Sequence, residues 1–260
     1  MRAAKAAPQP HKKPLHRRAL LHVCGINAVR ALYAHDPDRI ERLFFAPPTA
    51  AALAPLCRAL AAAKKPYRAV GAEELARIAG TPLHGGVVAV ARPQPLSTAD
   101  PAAVAEWAAD GRLLVVLDGV GNPHNLGAIA RSAAFFGVPR LVLAERREQA
   151  LPSDASYRVA EGGLDRLTLY RAPLPLLLPA VRRVYRVVGA AAEGGAAPSP
   201  RSQGCPPALV LGNEEHGLAA ATRAACDEIV TIPGMIPKGG VQSLNVAAAA
   251  AILIYLLTRR

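Results

Sequence analysis

The sequence predicts an α/β protein whose main domain is built on a parallel β-sheet, preceded by a smaller α/β domain. Two observations indicate the sheet: the segments LLVVLDG (113–119) and ALVLG (208–212) are almost wholly apolar, and helical patterns lie between segments of this kind. Such strands are typical of parallel sheets covered by helices on both faces. A third observation separates the two domains, because the proline-rich stretch RPQPLSTADP (92–101) has no periodicity.

The smaller domain is expected at residues 20–91, where short strands and helices alternate. The pattern predicts helices at 25–35, 50–64 and 72–79, and strands at 42–46 and 87–91. A linker is expected at residues 92–110, around the proline-rich stretch.

The main domain is expected at residues 111–260. In chain order its segments predict a strand LLVVLDG, a helix NLGAIARSAAFFG, a strand RLVLAE, a helix APLPLLLPAVRR interrupted by prolines, strands YRVVGAAAE and ALVLG, a short helix from Leu218, a strand EIVTIP and a closing helix. Residues 193–207 are rich in small and turn-forming residues, which predicts an exposed loop between two strands.

The closing helix contains the longest apolar run of the chain, the 12 residues 246–257. A membrane-spanning helix needs roughly 20 apolar residues, so a buried helix is expected and no membrane association. Ser243 is a candidate N-cap, and Asn245 lies directly before the run. The polar entrance to this helix requires an explanation.

The charge of the chain predicts a polyanionic partner. The formal net charge is +12, and no acidic residue precedes Asp36. Residues 1–19 are expected to form a basic disordered arm, and its lysines and arginines are Arg2, Lys5, Lys12, Lys13, Arg17 and Arg18. Such residues neutralise phosphates with little regard to sequence. Charge alone does not separate DNA from RNA, or a nucleic-acid-binding arm from a solvated tail.

Cysteine usage favours a reducing compartment, and the cytoplasm is expected. The four cysteines lie far apart without a CxxC pair, which favours neither a zinc site nor a disulfide framework, so no metal is predicted. No apolar segment follows the basic N-terminus as it would in a signal peptide.

Three loops follow predicted strands at the edge where parallel α/β sheets bind ligands. The first, LDGVGNPHNLGAIARSA (117–133), begins like a dinucleotide fingerprint but carries His124 where the third glycine belongs. It supplies Asn125 at a helix start and Arg131 further along. These side chains suit anion binding at a helix N-terminus; alternatively, Asn125 is only a cap and Arg131 an exposed helix residue.

The second loop, LVLGNEEHGL (209–218), places Gly212 at the end of an apolar strand and Glu214 just beyond it. A glycine there permits close approach of a ligand to the backbone. The third loop, TIPGMIPKGGVQSLN (231–245), ends at Ser243 and Asn245, and its exposed amides can surround a cofactor. Capping alone is the alternative for Ser243, whereas an amide beside an apolar helix needs a hydrogen-bonding partner.

Together the three loops resemble the motifs of the SpoU (TrmH) family of RNA methyltransferases in the SPOUT superfamily. The matching residues are Asn125 and Arg131, then Gly212, Glu214 and Gly217, then Ile232, Pro233, Ser243, Leu244 and Asn245. The match spans about 115–257, and residues from HVCGINAVRAL to HGGVVAVARP look like the family's L30e-type domain for binding the RNA substrate. The resemblance implies a C-terminal trefoil knot and a homodimer.

The resemblance also implies transfer of a methyl group from S-adenosylmethionine to a ribose 2′-hydroxyl of tRNA or rRNA. Gly212, Ile232 and Leu244 would bind the cofactor. The residues expected to act in catalysis are Asn125, Arg131, Glu214, Ser243 and Asn245. In the family, the arginine that matches Arg131 is the proposed general base. Because a guanidinium group stays protonated, orienting an RNA phosphate and stabilising the developing alkoxide fit its chemistry better.

Two alternative functions are a catalytically silent RNA-binding protein of the same fold and a nicotinamide-dependent oxidoreductase. The complete set of motif residues argues against the first and His124 against the second. The chain departs from the family pattern in the added PKGG (237–240) and in YRVAEGG (157–163), where many members carry a Ser/Gly-Ala segment. The latter segment is a candidate for influencing which RNA is accepted.

Overall fold

The computed structural model describes residues 20–199, 204–234 and 243–259. The basic arm predicted for residues 1–19 and the added segment 237–240 lie outside these ranges.

The N-terminal unit is a four-stranded sheet with three α-helices among its described residues. Its elements are β1 (Leu21–Cys24), α1 (Ile26–His35), β2 (Ile40–Phe45), α2 (Ala50–Ala62), β3 (Tyr67–Ala69), α3 (Ala72–Ala79) and β4 (Val87–Ala91). The strand order is β1-β4-β2-β3, in which β4 runs antiparallel to β1 and β2. The predicted helices and strands form here, but β1 and β3 were not predicted. The three residues of β3 are all exposed and have no apolar pattern.

The predicted linker contains regular structure. Within residues 92–110 the chain forms β5 (Ser97–Thr98), which pairs with a strand of the larger sheet, and α4 (Val104–Ala109). Trp107 of α4 is buried, and its ring centroid lies 4.5 Å from that of Tyr170. Prolines remove the local periodicity of this stretch, but its few large apolar side chains still pack on the second unit.

The second unit is an α/β sheet in which every strand pairing is parallel. After β5 and α4 come β6 (Leu114–Asp118), α5 (Pro123–Phe135), β7 (Arg140–Ala144), α6 (Asp154–Ala160), β8 (Thr168–Ala172), α7 (Leu174–Val181), β9 (Arg186–Ala190), β10 (Pro207–Gly212), α8 (Ala220–Ala224), β11 (Glu228–Val230) and α9 (Val246–Thr258). The order is β11-β9-β10-β6-β7-β8-β5. The α/β class and the parallel sheet predicted from the sequence are confirmed, whereas α6 and β8 were missed.

Both faces of this sheet are covered, which explains the wholly apolar strands. In β6, Val115 and Leu117 belong to the same core cluster as residues of α5 and α9. Leu114 and Val116 belong to the cluster on the other face, which includes residues of α4 and α7. Because side chains alternate along a strand, each face of the sheet needs its own apolar set.

The apolar C-terminal run forms α9 and is part of the core. Ala250, Leu253, Ile254 and Leu257 of this helix are buried. No helix in the described ranges combines the length and hydropathy needed to cross a bilayer.

The two units are joined by a buried polar contact. Arg39 is 4% exposed, and its Nη1 donates to Asp165 Oδ1 at 2.6 Å. Its Nη2 donates to the hydroxyl of Tyr157 at 2.9 Å. Nearby, the Oδ1 atom of Asp154 accepts from the backbone N–H of His22 at 2.9 Å. The N-terminal unit is therefore held against α6 and the turn that follows it.

Candidate functional site

The site forms where the strand order changes direction. The chain leaves β6 toward β7 and later returns to the other side of β6 as β10, so that Asp118 and Gly212 end neighbouring strands in register. In open α/β sheets ligands bind at such a switch point, beyond the carboxyl ends of the strands. The loops after β6 and β10 meet here.

The N-terminus of α5 presents Asn125 to these loops. Asn122 is the N-cap, and its side chain accepts from the N–H of His124 at 2.8 Å. Pro123 takes the first helical position, where its missing N–H is tolerated. The capping alternative for Asn125 is therefore wrong: Asn125 lies in the first turn, is 9% exposed, and has its amide available for another partner.

Glu214 accepts three hydrogen bonds from the loop after β6 and the start of α5. One of its carboxylate oxygens accepts from Asn125 Nδ2 at 2.8 Å and from the N–H of Asn122 at 3.2 Å, and the other accepts from the N–H of Gly121 at 3.0 Å. Burial by itself would raise the pKa of Glu214, but these hydrogen bonds outweigh burial and lower it. Glu214 is therefore an ionised hydrogen-bond acceptor at neutral pH.

Asn245 connects the third loop to the same group. Its Nδ2 donates to Asn125 Oδ1 at 3.1 Å, while its Oδ1 caps α9 by accepting from the N–H of Ala247 at 2.8 Å. The N-cap is therefore Asn245, and the prediction of Ser243 for this position is wrong. Glu214, Asn125 and Asn245 thus form one hydrogen-bonded chain across three segments that are far apart in sequence. The polar entrance of α9 is explained by this contact.

A cavity of about 850 Å³ opens beside the chain of hydrogen bonds. Gly212, Ile232 and Leu244 all line it, as do Glu214, Ser243 and Asn245. The end of β9 and the loop after it, residues 190–193, form another wall that the sequence pattern did not single out. The residues predicted for cofactor binding are therefore brought together in one pocket.

Gly212 is required by the fold as well as by the pocket. A Cβ atom at this position would overlap the backbone carbonyl of Gly217. The two segments approach closely because Asn213 and Gly217 exchange backbone hydrogen bonds, both of 3.0 Å. Gly212 was predicted to permit close approach of a ligand, and in the structure it also allows this turn to close.

Arg131 lies outside this group. Six positions separate it from Asn125 on α5, so the two side chains point roughly 120° apart around the helix axis. Arg131 is absent from the described lining of the cavity, and its Nη1 forms an ion pair with Glu161 Oε1 at 2.9 Å. The structure therefore places Arg131 on the side of α5 that faces the end of α6.

Other polar residues hold the loop after β6 and were not recognised in the sequence. Asp118, 1% exposed, accepts from Arg146 at 2.8 Å and from the N–H of Ala219 at 2.8 Å. Gln149, also buried, accepts from the N–H of Gly119 and donates to the carbonyl of Val120. An acidic residue at the end of an apolar strand was the available signal for Asp118.

Comparison with known proteins gives the same assignment for both units. Residues 112–255 match the SpoU rRNA Methylase family, and residues 22–96 match the family described as RNA 2′-O ribose methyltransferase substrate binding. The chain is 32% identical over 243 residues to the 23S rRNA (guanosine-2′-O-)-methyltransferase RlmB of Photorhabdus laumondii, covering 92% of this chain and 97% of that protein. It is 34% identical over 187 residues to the RlmB of Acinetobacter baylyi, covering 70% and 74%.

A solved structure agrees with the sequence relatives. The SpoU methyltransferase AviRb from Streptomyces viridochromogenes, crystallised with the cofactor AdoMet, superposes with a TM-score of 0.73 at 25% identity, over 93% of this chain and 90% of that one. The fold and the pocket define a methyltransferase of RNA ribose 2′-hydroxyls that uses S-adenosylmethionine. The chain belongs to the SpoU rRNA methylase family.

The pocket suits S-adenosylmethionine. Its volume is in the range of about 300–1,000 Å³ typical of pockets for ligands of this size. Apolar side chains such as Ile232 and Leu253 offer contacts for an adenine ring, and Gly212 lines the same cavity. The motif residues present in this chain therefore fit the cofactor.

Replacing Gly212 by alanine is expected to weaken S-adenosylmethionine binding by at least about tenfold, because the turn at Gly217 must move away from the new methyl group. Isothermal titration calorimetry measures this effect. The control is Gly234→Ala in the same pocket, where no described atom lies within 4 Å of the added Cβ. Equal affinities for the two variants would contradict the interpretation.

Proposed function

We propose that this protein methylates a ribose 2′-hydroxyl of 23S ribosomal RNA, at a guanosine, in the cytoplasm. The observation that carries the proposal is the chain Glu214–Asn125–Asn245 at the rim of the cavity, supported by the printed function of the RlmB relatives. In this proposal Gly212, Ile232 and Leu244 bind the cofactor, and Asn125, Arg131, Glu214, Ser243 and Asn245 serve the reaction.

The proposed chemistry uses position and charge. S-adenosylmethionine supplies a methyl group already activated by its sulfonium, so the protein must align the 2′-oxygen and assist loss of its proton. Asn125, held by ionised Glu214 and by Asn245, orients the ribose at the pocket rim. Arg131 binds an RNA phosphate and stabilises the negative charge that develops on the 2′-oxygen, because its guanidinium remains protonated.

The proposal includes the domain roles and the chain path. Residues 20–91 would bind the RNA substrate, residues 92–110 connect the domains, and residues 111–260 carry the reaction. The basic arm 1–19 would add phosphate contacts, as its charge suggests. We also propose that the segment before α9 passes through a loop as a trefoil knot. Packing of α9 against both α5 and β10 supports this path.

We further propose a homodimer formed through the ends of α5 and α9. Phe135 is 82% exposed and Tyr255 45% exposed, and the Phe136 ring lies 5.8 Å from that of Tyr255. An aromatic patch of this kind on one face is typical of a protein interface. Arg131 lies one helical turn from Phe135, so a second copy docked on the patch would lie close to it.

The double variant Phe135→Asp, Tyr255→Asp is expected to be monomeric at micromolar concentration, because two carboxylates would be buried without partners in the interface. Multi-angle light scattering measures the mass. Leu176→Asp is the control, since Leu176 is 70% exposed on α7 and away from the patch. A monomeric unmodified protein would contradict the proposed dimer.

Methyl transfer itself is tested with S-adenosylmethionine labelled in the methyl group and RNA from cells that lack the gene. We expect label in alkali-resistant dinucleotides from 23S rRNA, because a 2′-O-methyl group blocks cleavage of the adjacent phosphodiester. Label found only in tRNA would show that tRNA, and not 23S rRNA, is the substrate. Tight RNA binding without any transfer would favour the catalytically silent RNA-binding protein.

A further inference from the structure

The turn that follows α6 has an unusual backbone conformation at Glu161. Its φ of 45° and ψ of 43° lie in the left-handed region, which side chains other than glycine rarely adopt. In the described part of the chain only one other non-glycine residue, Lys64, has a positive φ. Strain of this kind persists only where surrounding packing enforces it, and it is concentrated at functional sites.

The packing around this turn is tight on two sides. A Cβ atom at Gly163 would lie 2.8 Å from the Cα of Arg131 in α5, and one at Gly162 would lie 2.5 Å from the Cβ of Ala31 in α1. The turn is therefore wedged between α5 of the methyltransferase unit and α1 of the N-terminal unit. Four residues after Glu161, the buried ion pair of Asp165 with Arg39 also joins the two units.

The side chain of Glu161 points to Arg131. Its Oε1 lies 2.9 Å from Arg131 Nη1, and the two side chains are 46% and 56% exposed. Glu161 is the C-cap of α6, and helices often end with a left-handed residue, but glycine usually takes that position because it is unstrained there. The end of the helix therefore explains the conformation but not the glutamate, and a solvent-exposed ion pair contributes little to stability. An ion pair does restrict the direction of a long, flexible side chain, which is what a preorganised charge-stabilising group requires.

We infer that Glu161 is a positioning residue for Arg131, and that its turn sets the position of Arg131 relative to the N-terminal RNA-binding unit. This inference rests on the proposed function of Arg131 in the reaction. Ala31 of the N-terminal unit lies against Gly162, and the neighbouring Glu161 forms the ion pair with Arg131. The unit that binds the RNA in this proposal therefore also sets the direction of the arginine.

The test compares Glu161→Gln, Glu161→Gly and Glu161→Asp in the full-length protein, using labelled S-adenosylmethionine and the RNA it methylates. Glutamine removes the charge and keeps the shape, and glycine also relieves the backbone strain. We expect kcat to fall about ten- to a hundredfold in both, as for a displaced catalytic group. KM for RNA, cofactor affinity and the thermal midpoint should stay near wild type, and aspartate should recover part of kcat.

The matched control is Glu145→Gln, which removes a carboxylate of similar exposure from its ion pair with Arg171, away from the pocket. It is expected to leave kcat unchanged. An equal loss of kcat in this control would overturn the inference, because removal of any surface carboxylate would then have the same effect.

A double-variant cycle separates this inference from the role of Arg131. If Glu161 acts through Arg131, adding Glu161→Gln to Arg131→Ala should cause no further loss of kcat. Near wild-type kcat in Arg131→Ala would overturn the proposed function of Arg131. If Arg131→Ala has a low kcat but Glu161→Gln has a wild-type or higher kcat, only the positioning role of Glu161 is overturned. A kcat of Glu161→Gln above wild type would indicate that the ion pair holds Arg131 away from the RNA.

Discussion

Arg131→Ala is expected to reduce turnover by at least about a hundredfold, equivalent to about 2.7 kcal/mol of transition-state stabilisation. The guanidinium makes its proposed contact chiefly as charge develops on the 2′-oxygen, so kcat should fall more than KM for RNA rises. Cofactor affinity should be retained, because Arg131 is not among the described residues that line the cavity. Single-turnover assays with saturating RNA, together with calorimetry for S-adenosylmethionine, measure both quantities.

Two further variants sharpen this test. Arg131→Lys should not restore turnover, because an ammonium group cannot reproduce the planar fork that binds phosphate. Arg171→Ala removes an arginine from another partly exposed ion pair, and it should keep wild-type turnover. If Arg131 is only a surface residue of α5, Arg131→Ala should change the free energy of unfolding by less than about 0.5 kcal/mol and leave activity intact. That result would contradict the proposal.

Asp165→Asn is expected to lower the free energy of unfolding by about 3–5 kcal/mol, the usual effect of removing one member of a buried ion pair. The Asp165 side chain is fully buried and the Arg39 side chain 5% exposed, so the arginine would keep its charge without a counter-ion. Equilibrium denaturation in urea, followed by circular dichroism, measures the change.

The control for this experiment replaces both charges at once. Arg39→Met together with Asp165→Leu should be closer to wild type than Asp165→Asn, since two apolar residues leave no unpaired charge. If Asp165→Asn loses less than about 1 kcal/mol, water reaches the pair and the contact between the units is looser than its burial indicates.

The local patterns of the sequence were sufficient for the α/β class, most elements and the three loops of the site. The apolar strands reveal a sheet covered on both faces, and the short C-terminal run indicates a buried helix, because both patterns follow directly from which faces avoid water. Elements without such a pattern were missed: β3 is wholly exposed, and α4 follows prolines that hide its two large buried side chains.

The contacts between distant segments were decided only by the tertiary structure. Asn125 and Asn245 are 120 residues apart and meet because the parallel sheet brings the ends of β6 and β10 together beneath the start of α9. Arg131 is close to Asn125 in sequence, yet the helical rotation turns it toward Glu161. The sequence alone thus determined which residue types stand at the ends of the strands. Which of them touch depended on helix rotation and strand order, because these long-range contacts leave no local periodicity.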